Sequence, residues 1–335
     1  MRVLLMLAHS IEEYDQVKLL SELGYDVFSL GGYINPHMPH DPKRPAIPDA
    51  PYHPDLKEVV DTLRTPDNLE AAKQHVPDAV LDWCETIIIH HREHTWLVPQ
   101  WDRIKHKRVI WRTVGQSVEN NEKMMKPFRE QGLQIVRYSP KEENIPSYAG
   151  RDALIRFYKD PDEWTGWGGG EYECVINITQ QLRQREPFTN WSFWDEATRG
   201  LPHKAIGPGS EFIEGPGEIS LQEMKAALRL YRAYLYTGTQ PAAYTLGLVE
   251  AMMTGIPVVS IGPLRMQVFP YSPQLFEGHE IARHWANSPT NAHDMLVELL
   301  SSSEYSAKVS AAQRARAIEL FGKETIAKQW KEFLG

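Results

Sequence analysis

Much of what this chain could be is excluded by what it lacks. Its 335 residues contain two cysteines, Cys84 and Cys174, far apart in the sequence. A disulfide framework is therefore not expected, and a reducing cytoplasm is the expected setting. No stretch offers the roughly 20 uncharged apolar residues that a membrane-spanning helix needs. The opening run MRVLLMLAHS is short and is followed at once by Glu12, Glu13 and Asp15, so it reads as a first buried strand rather than a secretory leader. Basic residues are not in excess: the net charge is −8, which argues against wholesale coating of nucleic acid, although a local basic groove fits inside an acidic average. Three signatures are also missing. Ala8-His9-Ser10 stands after the first strand where a G-x-G-x-x-G would be, and neither G-x-x-x-x-G-K-[ST] nor G-x-S-x-G occurs. Dehydrogenase, P-loop and hydrolase readings are left without support.

What is present is a globular composition, 42% hydrophobic and 24% charged, in a chain long enough for two domains with a functional cleft between them. Short apolar runs alternate with amphipathic stretches, which predicts strands joined by helices in parallel sheets. The strand candidates of the first half are Val3–Ala8, Asp26–Leu30, Thr86–His90, Val109–Thr113 and Gln134–Tyr138; helices are expected over Glu12–Leu23 and Glu119–Gln131, with Gly24 and Gly132 at their C-caps. The second half repeats the pattern, with strands at Cys174–Thr179, Lys204–Ile206, Ala233–Tyr236 and Pro257–Ile261. Helices are expected near Trp191–Arg199, Leu221–Tyr231, Tyr244–Thr254 and Ala292–Leu300. The proline-dense stretch Tyr33–Pro54 reads as a long surface loop, and KDPDEWTGWGGG at Lys159–Gly170 as an interdomain hinge. The expected class is α/β, with two Rossmann-like, doubly wound parallel-sheet domains facing a cleft. They cover 1–165 and 166–315, and a terminal helix over 316–335 packs back on the first domain.

The most informative segment is Tyr236–Gly262, YTGTQPAAYTLGLVEAMMTGIPVVSIG. It reads as strand, polar loop, helix, turn and strand. A helix starting after that loop offers free amides and the positive end of its dipole to a phosphate, with Tyr244, Thr245 and Leu246 expected to supply the amides. Glu250 projects from the same helix at about ribose distance from such a phosphate, and a carboxylate accepts two hydroxyl hydrogen bonds well. An ordinary α/β packing unit would account for the same pattern.

This segment resembles the donor-binding motif of the GT-B glycosyltransferases, above all the large retaining family with the pattern E-x-F-G-x-x-x-x-E-A-M-A-x-G-x-P-V-V. Tyr244 stands for the Phe, Glu250 for the second Glu, and the run from Glu250 to Val259 matches nearly throughout. Ala242 replaces the first Glu and Thr245 the Gly, which puts donor-sugar contacts and retention of configuration in question. The resemblance implies a GT-B fold that needs no cofactor or bound metal and uses a nucleotide sugar, UDP- or GDP-linked, as co-substrate. It also implies a first-domain histidine facing the donor sugar. His91 is the leading candidate and His90 the next, at the carboxyl end of a parallel strand; a histidine hydrogen-bonded in a loop is the alternative for either. Arg183 and Arg185, after the strand ending at Thr179, fall where such enzymes use basic side chains on the diphosphate, and Gly207 in Ile206-Gly-Pro-Gly209 falls near the base. Solvated surface arginines and a plain turn are the corresponding alternatives.

His90, His91, Glu93 and His94 lack a recognised zinc spacing, and Asp160-Pro-Asp162 precedes glycines instead of ending a strand, so no metal site is assigned. The expected activity is transfer of a sugar from a nucleotide sugar to a small-molecule, glycan or modified-base acceptor. DNA is possible as a partner but disfavoured by net charge, and the oligomeric state is not indicated. The alternatives are a phage-type enzyme acting on modified DNA bases and a non-catalytic nucleotide-sugar binder.

Overall fold

The computed structural model describes residues 1–7, 9–31, 54–63, 65–90, 93–115, 118–262 and 284–335. The loop expected over Tyr33–Pro54 lies almost wholly outside the described residues, as does His91. The chain divides into two compact units, Met1–Arg156 with Ile326–Gly335, and Phe157–Thr325.

The first unit is built on a six-stranded sheet of β1 (Arg2–Met6), β2 (Asp26–Ser29), β3 (Thr86–His90), β4 (Arg108–Arg112), β5 (Gln134–Arg137) and β6 (Ala153–Leu154). The order is β2-β1-β3-β4-β5-β6 and every neighbour is parallel. A parallel sheet covered on both faces needs strands that are apolar throughout, which is why Val3, Leu4, Leu5 and Met6 are all fully buried. β2 lies on one side of β1 and β3 on the other, so the winding reverses between β1 and β3. At the end of β5, Arg137 forks onto both carboxylate oxygens of fully buried Glu122 at 2.6 and 2.7 Å and onto the carbonyl of Gly150 at 3.0 and 2.8 Å. In the terminal segment of this unit, Arg108 donates to the carbonyls of Phe333 and Leu334 at 2.6 and 2.8 Å, satisfying the end of the helix Lys323–Leu334.

The second unit carries β7 (Tyr172–Ile178), β8 (His203–Ile206), β9 (Tyr231–Tyr236), β10 (Val258–Ile261) and β11 (Trp285–Ala286), in the parallel order β11-β10-β9-β7-β8. Its reversal falls between β7 and β9. Ligands of open α/β sheets gather at the carboxyl ends of strands at such a reversal.

Lys159–Gly170 was expected to be a hinge, yet its backbone is fastened within the second unit. Arg314 donates to the carbonyls of Trp164 and Pro161 at 2.8 and 3.0 Å, Arg229 to that of Thr165 at 2.8 Å, and the Trp167 indole to that of Tyr231 at 2.9 Å. Gly170 is required where it stands: its φ is +66°, and a Cβ would lie 2.5 Å from the Arg232 Cα. The long terminal helix breaks at Gly322 into Ser303–Phe321 and Lys323–Leu334. Among the described residues, no helix is long and apolar enough to cross a membrane.

Candidate functional site

In the second unit the edge where β7, β8 and β9 end is assembled from short-range latches. Asn177, fully buried on β7, donates to the Leu235 carbonyl of β9 at 2.8 Å, and the Tyr234 hydroxyl sits 3.3 Å from both the amide and the carbonyl of Ile178. The loop after β9 is tied to the segment after β7: Asn190 donates to the Thr237 carbonyl and the Gln240 amide to the Phe188 carbonyl, each at 2.8 Å. Gly207, at the end of β8, closes against the same segment. Its φ is +121° and a Cβ would approach the Thr179 carbonyl oxygen to 3.1 Å.

The helix after this loop begins at Leu246, two residues beyond the expected start, because Thr245 is extended (φ −117°, ψ 163°) and acts as N-cap. Among the described residues the Thr245 side chain makes no capping hydrogen bond, and Thr245, Leu246 and Gly247 are only half-buried. The first amides, those of Leu246 and Gly247, therefore stand at an uncapped positive helix end at the sheet's reversal. Beside Thr245, burial pushes the Tyr236 phenol up to about 12.

Tyr244 turns inward. Its ring packs on Phe157 and Phe321 at centroid distances of 5.3 and 5.4 Å, and its hydroxyl accepts from the Phe157 amide at 3.3 Å, so its side chain braces the loop. Glu250 is only 4% exposed and meets the Lys159 ammonium 2.7 Å from Oε1, an ion pair lying off the line of a hydrogen bond. Arg183 is exposed with its guanidinium 5.8 Å from the Trp191 ring centroid, and Arg185 reaches the Gln180 carbonyl at 3.4 Å. The fold thus gathers Thr245, Leu246 and Glu250 on one helix. Gly207, Arg183 and Arg185 lie on the neighbouring turns of the same sheet edge.

The first unit has a site of different character at its own reversal. His90 ends β3, is 1% exposed, and its Nδ1 lies 3.1 Å from Glu12 on the helix Ser10–Glu22, which follows β1. Burial alone would raise the Glu12 carboxyl, but the charge and hydrogen bond of His90 and the charge of Arg112 outweigh it, leaving Glu12 below its usual range. Burial is also the main influence on His90 and lowers its pKa, helped by Arg112 and opposed by Glu12. An ionised Glu12 beside a neutral ring puts the proton on Nδ1 and makes Nε2 an acceptor; Nε2 is buried and has no hydrogen-bond partner among the described residues. Arg112, from the end of β4, is anchored by the carbonyls of Ile155 and Arg156. His9 is exposed and its Nδ1 accepts from the Glu12 amide at 3.4 Å, capping the helix.

Sequence reasoning singled out neither Glu12 nor Arg112 nor Lys159. The signal for Glu12 was its position in the first turn of a helix directly after β1; for Lys159 there was none.

No family model matches the chain, and no curated protein does. Solved structures match over nearly its whole length. A sucrose-phosphate synthase from Thermosynechococcus elongatus has a TM-score of 0.68 at 13% identity, over 99% of this chain and 98% of that one. HepE of Anabaena, solved with UDP and glucose, has a TM-score of 0.66 at 12% identity, over 100% and 99%. A glycosyltransferase from Rickettsia africae has a TM-score of 0.66 at 10% identity, over 99% and 98%. The two parallel sheets and these likenesses define the fold as that of the GT-B glycosyltransferases.

Proposed function

We propose that the chain is a glycosyltransferase that moves a sugar from a UDP-linked donor to an acceptor hydroxyl, without a catalytic metal. The observation that carries the reading is the uncapped start of the helix Leu246–Thr254 at the reversal of the second sheet, in a chain that shares its fold end to end with sugar transferases. Uridine as the base is favoured by the similarity to HepE, whose structure holds UDP and glucose.

In such a transfer the bond from the anomeric carbon to the diphosphate loosens, positive charge grows on the sugar, and negative charge grows on the leaving phosphate. Fixed amide dipoles at Leu246 and Gly247 stabilise that phosphate more as its charge develops, which is the condition for lowering the barrier. Arg183 and Arg185 add mobile positive charge, Glu250 takes the ribose, and the turn at Gly207 borders the base. The catalytic role falls to His90 and His91 of the first unit. Glu12 holds the Nδ1 proton of His90 and keeps its ring neutral.

The test is nucleotide release from a panel of UDP- and GDP-sugars, with and without chelator. Release of UDP, indifferent to chelator, is expected; absence of both release and any ligand-induced rise in Tm across the panel would sink the reading. One observation favours a non-catalytic sugar-nucleotide binder. Ala242, in place of the first motif glutamate, is only 8% exposed and brings no polar group to a sugar. Binding without release would select that alternative.

A further inference from the structure

We propose that Lys159 is a positioning residue of the donor site: its ammonium fixes one oxygen of the Glu250 carboxylate so that the rest of the carboxylate is presented to the ribose hydroxyls of the nucleotide. The inference rests on the ribose reading of Glu250 and adds the residue that holds it.

Lys159 is 1% exposed and sits 2.7 Å from Oε1 of Glu250. Oε1 is itself sealed from solvent, so the 5% side-chain exposure that Glu250 retains belongs to its other atoms. The lysine is held at both ends of its side chain. Its amide donates to the Phe321 carbonyl at 3.0 Å, and its ammonium lies 5.0 Å from the centroid of Trp164, itself 3% exposed. A flexible side chain anchored in this way has already given up its rotamer freedom, and so has the carboxylate it meets.

Burying an ammonium and a carboxylate together is a poor way to gain stability, because apolar residues of equal volume usually do as well. Holding a ligand-binding carboxylate in one orientation is a role apolar residues cannot fill, since the productive geometry must exist before the ligand arrives. Glu250 also sits in the second turn of the helix whose first amides are uncapped. A fixed carboxylate there sets the spacing between phosphate and ribose subsites.

The experiment compares the Kd of UDP with that of 2′-deoxy-UDP, by calorimetry, for the intact chain and for Lys159→Met, Glu250→Gln and the double variant. The intact chain is expected to favour UDP by about tenfold, the size of one charge-assisted hydrogen bond. Glu250→Gln should lose most of that preference. Lys159→Met should lose a similar part, and the double variant no more than Glu250→Gln alone, as two residues acting through one contact require. A preference that survives Glu250→Gln overturns the ribose reading. A preference abolished by Glu250→Gln but intact in folded Lys159→Met, or losses that add, overturns the role of Lys159 alone. If Lys159→Met does not fold, Lys159→Arg keeps the charge and moves the donor atoms: a reduced preference supports the proposal, and an unchanged one overturns it.

Discussion

The two sheets reverse their winding in the same way and dress the two reversals differently. At the first, between β1 and β3, the side chains that converge are titratable: Glu12, His90 and, beside them, Arg112, all buried. At the second, between β7 and β9, the groups at the edge are amides, hydroxyls and glycine turns, with Arg183 and Arg185 on the neighbouring turns, and the charged pair Lys159–Glu250 stands behind them. The first arrangement suits handling a proton, because burial and a fixed partner decide which nitrogen of His90 holds it. The second suits holding an anion, because backbone dipoles need no counter-charge and do not titrate. One topology thus supports two chemistries, and the division can be broken experimentally.

The largest effect is expected from a buried pair that belongs to neither site. Arg137→Met strands Glu122, fully buried, and should destabilise the protein by about 3–5 kcal/mol in chemical denaturation. UDP affinity of the folded fraction should be unchanged; a large change in Kd would mean that the two regions are not independent. Next, Glu250→Gln should weaken UDP binding by about tenfold to a hundredfold, the loss of charged hydrogen bonds to ribose. Equal affinity in a titration would move the nucleotide away from this helix.

A smaller effect belongs to pH. Because burial lowers His90 below its ordinary value of 6.5, the unfolded chain takes up a proton there that the native chain refuses. Stability should therefore fall as pH drops from 6.5 toward the lowered native value and be indifferent to His90 above 6.5. His90→Gln should flatten that part of the denaturation-midpoint profile relative to the unaltered chain; parallel profiles would show that His90 is not held neutral. The smallest change is expected at Arg183→Ala. An exposed guanidinium beside Trp191 should move stability by less than about 0.5 kcal/mol and the donor KM by a few-fold at most, so a hundredfold loss would promote it to a principal phosphate ligand.

Much of this architecture was legible in the sequence, because a parallel strand buried on both faces leaves a run of apolar residues. Thr86–His90 is found with the expected bounds, and eight further strand expectations match observed strands to within two residues at either end. The two-residue strands Ala153–Leu154 and Trp285–Ala286 are too short to show a period and were not expected. Glu250 was legible from the motif around it, but Lys159 was not: its partner lies far along the chain, and the aspartates, prolines and glycines near it suggested slack. That slack is removed by Arg229, Arg232 and Arg314, whose hydrogen bonds to carbonyls are invisible to local pattern. Glu12 was read as a charge that ends an apolar run and as the start of the helix Glu12–Leu23; its contact with His90, 78 residues along the chain, is beyond any local pattern.

The most direct measurement is a crystal structure of the chain grown with UDP. The diphosphate should accept hydrogen bonds from the amides of Leu246 and Gly247, with the ribose against Glu250. UDP bound elsewhere, or those amides closed off by the protein's own side chains while UDP is present, would contradict the account.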